Sequence, residues 1–209
     1  LTNMKKLILS ASLLILGANA FAQENDNGVS LDGRWFIMGQ AGYNSSNEGN
    51  TQSYSIVPQV GNFVSEDVAL GLGIGYIGSK NESELNNVTS TQKENLFLVK
   101  PFARKYWGVA KNLFVFGELS VPLGFGKNTD ETALGNTTTT AEAKYTNIGV
   151  QVAPGLDYYL SDNWSLEAAF GLLGWNSTKP KDGDSANSFN FGLNSGVDNG
   201  VKIGIKYTF

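Results

Sequence analysis

The chain has 209 residues, with 15 Lys and Arg against 19 Asp and Glu and neither Cys nor His. Without Cys it has no disulfide, no lipid-bearing amino-terminal thiol and no thiol chemistry; without His it lacks the usual general base near neutral pH and the commonest transition-metal ligand. A net charge of −4 argues against nucleic acid as a partner.

Met4, Lys5 and Lys6 open the chain with positive charge, Leu7 to Leu16 form an uncharged apolar run, and Ala20, Phe21 and Ala22 make a small-residue cleavage site before Gln23. The pattern predicts an export signal over residues 4–22, cleaved after Ala22, which removes two lysines and leaves a net charge of −6. A spanning helix needs about 20 apolar residues, and no stretch in the chain is that long. The expected organisation is a short amino-terminal linker over 23–32 and one domain over 33–209.

After Asp32 the chain reads in about eight segments of period two. Arg34 to Tyr43 comes first, with Phe36 and Met38 on its otherwise polar face, and Tyr54 to Val64 follows. Val68, Leu70, Leu72, Ile74 and Tyr76 then alternate with Ala69, Gly71, Gly73 and Gly75. Next come Leu96 to Trp107, Leu113 to Phe125, Ile148 to Tyr158 and Trp164 to Leu172. At the end Val201, Ile203, Ile205, Tyr207 and Phe209 alternate with Lys202, Gly204, Lys206 and Thr208, and the odd-numbered apolar face extends back to Phe189. One strand of that length, at about 3.3 Å per residue, exceeds a roughly 25 Å apolar band, so it either projects outward or bends within Ser195 to Gly200.

Short connections at Ser65 to Asp67, Gly108 to Asn112 and Ser161 to Asn163 alternate with long polar ones at Asn44 to Gln52, Ser79 to Glu94, Lys127 to Ala143 and Asn176 to Asn187. Short turns at one end and long loops at the other fit an outer-membrane barrel with periplasmic turns. A repeat marks three descending strands. Pro58, Pro101 and Pro154 each precede an aromatic by five residues (Phe63, Tyr106, Tyr159) and the first turn residue by seven. A proline in a paired strand removes a ladder bond, so an irregularity is expected beside each.

A soluble barrel shows the same alternation turned inside out. Aromatics favour the membrane: Trp35, Trp107, Tyr158, Trp164 and Tyr207 gather by the short turns, and Tyr43, Tyr54, Tyr76 and Phe125 by the long loops, as two interfacial belts would. Gly71, Gly73, Gly75, Gly192 and Gly204 suit a narrow interior.

The segments PQVGNFVSEDVALGLGIGY, VKPFARKYW, LFVFGELSVPLGFG, APGLDYYLSDNWSLEAAFG and GVKIGIKYTF resemble the small outer-membrane β-barrel domain family of Bacteroidetes-type bacteria, similar in architecture to OmpA and OmpX barrels. The resemblance implies that Tyr207 and the terminal Phe209 form the signal read by the barrel assembly machinery. It transfers no catalytic residues. Outer-membrane barrels with enzymatic activity that resemble this architecture rely on histidine, which this chain lacks.

Projected inward, the polar face carries Lys100, Arg104, Glu118, Asp157, Glu167, Lys202 and Lys206. Asp157 and Glu167 fall opposite each other, a pairing that acid–base chemistry can use. Ion pairing within a narrow lumen, with Lys202 and Lys206 as the cations, accounts for it better. The expected fold is therefore an all-β, closed, eight-stranded antiparallel transmembrane barrel in the outer membrane. Its expected role is structural or in surface interaction, without catalysis, cofactor or metal, contacting outer-membrane lipid and, through its long loops, a surface ligand. A narrow passive pore and a soluble secreted barrel holding an apolar ligand are the alternatives. Asp184, Ser185 and Ala186 resemble a short O-glycosylation motif.

Overall fold

Alternating sequences with one apolar face pair into antiparallel ladders because each strand then buries or exposes a whole face at once. The computed structural model describes residues 31–46, 50–85, 88–134, 137–170, 173–192 and 201–209, so the expected signal segment, its cleavage site and Ser195 to Gly200 lie outside the described residues. Eleven strands are described: β1 (Trp35–Ser46), β2 (Thr51–Ser65), β3 (Val68–Leu85), β4 (Val88–Ala110), β5 (Leu113–Ser120), β6 (Leu123–Leu134), β7 (Thr137–Tyr159), β8 (Trp164–Phe170), β9 (Leu173–Pro180), β10 (Ala186–Phe191) and β11 (Val201–Thr208).

These strands occupy eight places in a ring. β5 and β6 both lie between β4 and β7 in one register, β8 and β9 both follow β7, and β10 and β11 pair β9 and β8 in turn. The ring closes where β11 pairs β1, from Phe36↔Thr208 to Ala41↔Ile203. Trp35 and Phe209 lock the seam with two backbone bonds, 2.9 and 2.8 Å long.

Ladders are interrupted beside all three repeat prolines. Between β2 and β3, paired residues stop at Ile56↔Tyr76 and resume at Gln59↔Gly73, spanning Pro58. Pro101 sits in the gap between Val99↔Leu123 and Phe102↔Ser120. Opposite Pro154 the register itself slips by one residue, from Gly155↔Ala169 to Val152↔Leu173. That slip puts Leu173 and Trp175 outward, so the even-numbered alternation of Trp164 to Ala168 does not continue across it. The last strand is not one unbroken strand either. Ten residues separate Phe191 from Val201, whereas three separate their partners Leu173 and Phe170.

The connections expected as long loops are mostly paired strand. β3 and β4 continue in register to Leu85↔Val88, β6 and β7 to Leu134↔Thr137, and β4 and β6 pair throughout, up to Val88↔Leu134. A four-stranded wall, β3–β4–β6–β7, thus rises past the outer aromatics Tyr76, Phe97 and Phe125 by nine residues of strand, about 30 Å along its length. Both faces of this wall are polar, so it gives no hydrophobic alternation to read.

The outward face between the aromatic belts is apolar and exposed, including Ile37, Val60, Leu70, Leu72, Ile74, Leu119, Ile148, Leu156, Ile203 and Ile205. The inward face holds the buried residues, charged ones included. Phe36 and Met38, which made the first strand ambiguous, point inward and form part of the base of the core with Leu31.

Candidate functional site: the lumen charge cluster

Strand alternation sends every second residue inward, and in a ring of eight strands those side chains meet across the axis. Space comes from glycine facing aromatic on the neighbouring strand. Phe36 lies opposite Gly61, Phe102 opposite Gly71, Phe116 opposite Gly155 and Tyr145 opposite Gly126. A Cβ added at any of these glycines would come within 2.0 to 2.4 Å of the facing ring.

All seven charged residues expected in the lumen are there, none more than 4% exposed. Arg104 is the hub. Its Nε donates to Glu118 at 2.7 Å, one terminal nitrogen donates to Glu167 at 2.9 Å and the other to Gln59 at 3.0 Å. The guanidinium lies between the rings of Phe102 and Phe116, 4.8 Å from each centroid. A planar fork with delocalised charge suits that slot, where a lysine could reach one carboxylate only. Lys100 donates to the other Glu118 oxygen at 3.0 Å, and Gln40 donates to Glu167 at 2.9 Å while accepting from Gln59 at 2.7 Å.

Nearer the short turns, Lys206 is bonded to Asp157. Its ammonium is surrounded by Phe36, Phe63, Tyr106 and Tyr159 at 5.1 to 5.7 Å, within the range of cation–π attraction. Three of these four rings are the aromatics of the proline repeat. Each proline faces outward, so the odd offset of five turns its aromatic inward, and the descending strands β2, β4 and β7 supply three walls of one cage. Glu167 is also held by Arg104, a cation not expected for it, while Lys202 lies in register with Ala169 on the neighbouring strand.

Asp157 and Glu167 are directly paired across β7 and β8. Each is nevertheless committed to its own cation and at most 1% exposed, with aromatic rings filling the lumen on the turn side. This arrangement holds charge in place. Among the described residues no group of three or more acidic side chains is placed to hold a metal ion. Gln40, Gln59 and Tyr106 complete the cluster and are not marked out by the sequence. Their inward parity was the available signal, and only the absence of formal charge concealed them.

Outside the spanning segments, Lys93 pairs with Glu131 at 2.8 Å and Lys127 with Glu142 at 2.6 Å on the outward face of the wall. The hydrogen bond and charge of Lys127 hold the Glu142 carboxyl below the usual glutamate range.

An ionised interior, an apolar exterior and two aromatic belts are the inverse of a soluble barrel, and the sequence agrees. The model of the outer membrane protein beta-barrel domain matches residues 8–208. The chain belongs to that family. Its place is therefore the outer membrane. Among solved structures, Neisserial surface protein A is similar over 85% of this chain and 100% of its own, at 16% identity and a TM-score of 0.48. A major outer membrane protein of Thermus thermophilus covers 84% and 99% at 12% identity and 0.48, and OprG of Pseudomonas aeruginosa 87% and 98% at 10% and 0.46. No curated protein sequence matches this chain at a significant level.

Proposed function

We propose that this family member is a non-enzymatic, non-conducting anchor that holds a rigid polar β-wall above the outer membrane for surface interaction. The observation that carries the reading is the side-chain fill of the lumen: the Lys206 cage, then the Arg104 slot, then Lys100 with Glu118, stacked along the axis. Stacked layers of buried, mutually bonded side chains oppose the passive-pore alternative. Purified protein in planar bilayers should give no current steps above baseline. Stable discrete conductance would overturn the proposal.

The same reading includes export with cleavage after Ala22 and assembly through Tyr207 and Phe209. Support for the second part is that Tyr207 and Phe209 are stacked at 6.0 Å on the rim, where Phe209 also closes the ring onto Trp35. The amino-terminal residue of the protein recovered from outer membranes tests the cleavage site; Gln23 is expected.

A further inference from the structure

Two cross-strand pairs on the outward face of the wall place like charges directly opposite each other: Lys80↔Lys93 between β3 and β4, and Lys127↔Lys144 between β6 and β7. Such pairs destabilise a bare sheet. Lys181 donates its backbone N–H to the Lys144 carbonyl at 2.9 Å, and Lys179 lies opposite Thr146 on β9. Five neighbouring places in the ring, held by β3, β4, β6, β7 and β9, thus each present a lysine outward.

These lysines stand at one height. Strand tilt makes a row of paired residues climb as it crosses the barrel. The row from Trp35 at the base of β1 passes Asn62, Leu70, Ala103 and Leu119 to Val152, six residues above Tyr158 at the foot of β7. Level residues must therefore step back toward the turns from strand to strand. The lysines do so: Lys80 and Lys93 share one row, Lys127 and Lys144 lie one step lower, and Lys179 one step lower again. Beneath them on the same face lie Tyr76, Phe97 and Phe125. The carboxylates Glu82, Glu131 and Glu142 sit one step farther from the membrane than their lysine partners. The order outward is apolar wall, aromatic belt, lysine tier, carboxylate tier.

From this order we infer that the lysine tier is a binding surface for the phosphate-bearing headgroup of an outer-leaflet lipid. The tier continues a lipid-facing surface, its charge is opposite to a phosphate, and the headgroup level directly above an aromatic belt is where that charge would lie. A lipid there would add anions on the membrane side of lysines whose carboxylate partners lie on the far side. The inference rests on the barrel spanning the outer membrane.

The test is native mass spectrometry of the full folded chain in neutral detergent with phosphatidic acid or phosphatidylcholine added, folding being checked separately by heat-modifiable gel mobility. Wild type should prefer phosphatidic acid by about fivefold or more per lysine engaged. The variant K80Q/K93Q/K127Q/K144Q/K179Q should lose that preference, and Lys105→Gln, near the periplasmic turns, should keep it. Should the fivefold variant not fold, K144Q/K179Q alone should lower the preference, and wild-type preference should fall between low and 0.5 M salt. No preference in wild type, an equal preference in the folded variants, or equal loss in Lys105→Gln would overturn the inference. Displacement of the lipid by an equal concentration of glycerol 3-phosphate would overturn the lipid assignment, since the tier would then read phosphate alone. Loss of heat-modifiable mobility in wild type would instead strike the barrel itself.

Discussion

Removing Arg104 should unbalance the lumen more than any other single change. The side chain donates four hydrogen bonds, to two carboxylates, a glutamine and, at 3.4 Å, the Tyr106 hydroxyl, and it is 1% exposed between two phenylalanine rings. In Arg104→Met the apolar volume is largely kept and Glu118 still has Lys100, but Glu167 loses its ion pair and retains Gln40. Breaking a buried pair on one side costs about 3–5 kcal/mol, a factor of roughly a hundred to several thousand in the folding equilibrium. Glu167→Gln should be the milder change, because an amide oxygen still accepts from the guanidinium, leaving an unbalanced positive charge at a cost of about 1–3 kcal/mol. In Arg104→Met with Glu167→Gln the two charges leave together, so the double variant should be more stable than the sum of the singles by about 1.5 kcal/mol or more. Equilibrium urea titrations in phospholipid vesicles, followed by the fluorescence of the four tryptophans, give all three values. Additive costs within about 0.5 kcal/mol, or an unchanged Arg104→Met midpoint, would refute the account of the lumen as a bonded network.

Gly155→Val should destabilise by about 1–3 kcal/mol or more, because its Cβ would fall 2.1 Å from Phe116 and 2.7 Å from the Ala168 carbonyl. Gly39→Ala, with nothing within 4 Å, should leave the same midpoint unchanged. Because the Glu142 carboxyl is held below the usual range by Lys127, its contribution to the wall is fully present above the ordinary glutamate pKa and is lost as pH falls through its own lower value. Carbon-detected NMR titration should find that midpoint low in wild type and shifted upward in Lys127→Gln. Deleting Phe209 should reduce the heat-modifiable fraction recovered from cell membranes, whereas Phe209→Tyr should preserve it.

The spanning region was legible because lipid outside and a packed lumen inside impose opposite chemistry on alternate residues. Val68 to Tyr76 and Val201 to Phe209 therefore read correctly from period two alone. The proline repeat went further, since Phe63, Tyr106 and Tyr159 converge on Lys206. The partner of Glu167 was not legible: ion pairing across a ring depends on shear, which brings Arg104 of β4 to a carboxylate on β8. The β-wall escaped detection for a different reason. Water wets both of its faces, so Ser79 to Glu94 and Lys127 to Ala143 carry no apolar period although their described residues are paired. Without that register, Lys80 and Lys93, thirteen residues apart, could not be seen to face each other. The one-residue slip opposite Pro154 likewise left no mark in the apolar spacing.

A barrel in the outer membrane requires hydrocarbon against the exposed Leu72, Ile148 and Ile203. Because the chain has no native cysteine, single cysteines at these three positions can each carry a spin label in lipid vesicles. Power saturation should show high access to dissolved oxygen and low access to a water-soluble nickel complex at all three, with the reverse order for a label at Glu84 on the wall. Free access of the nickel complex to Leu72, Ile148 and Ile203 would contradict it.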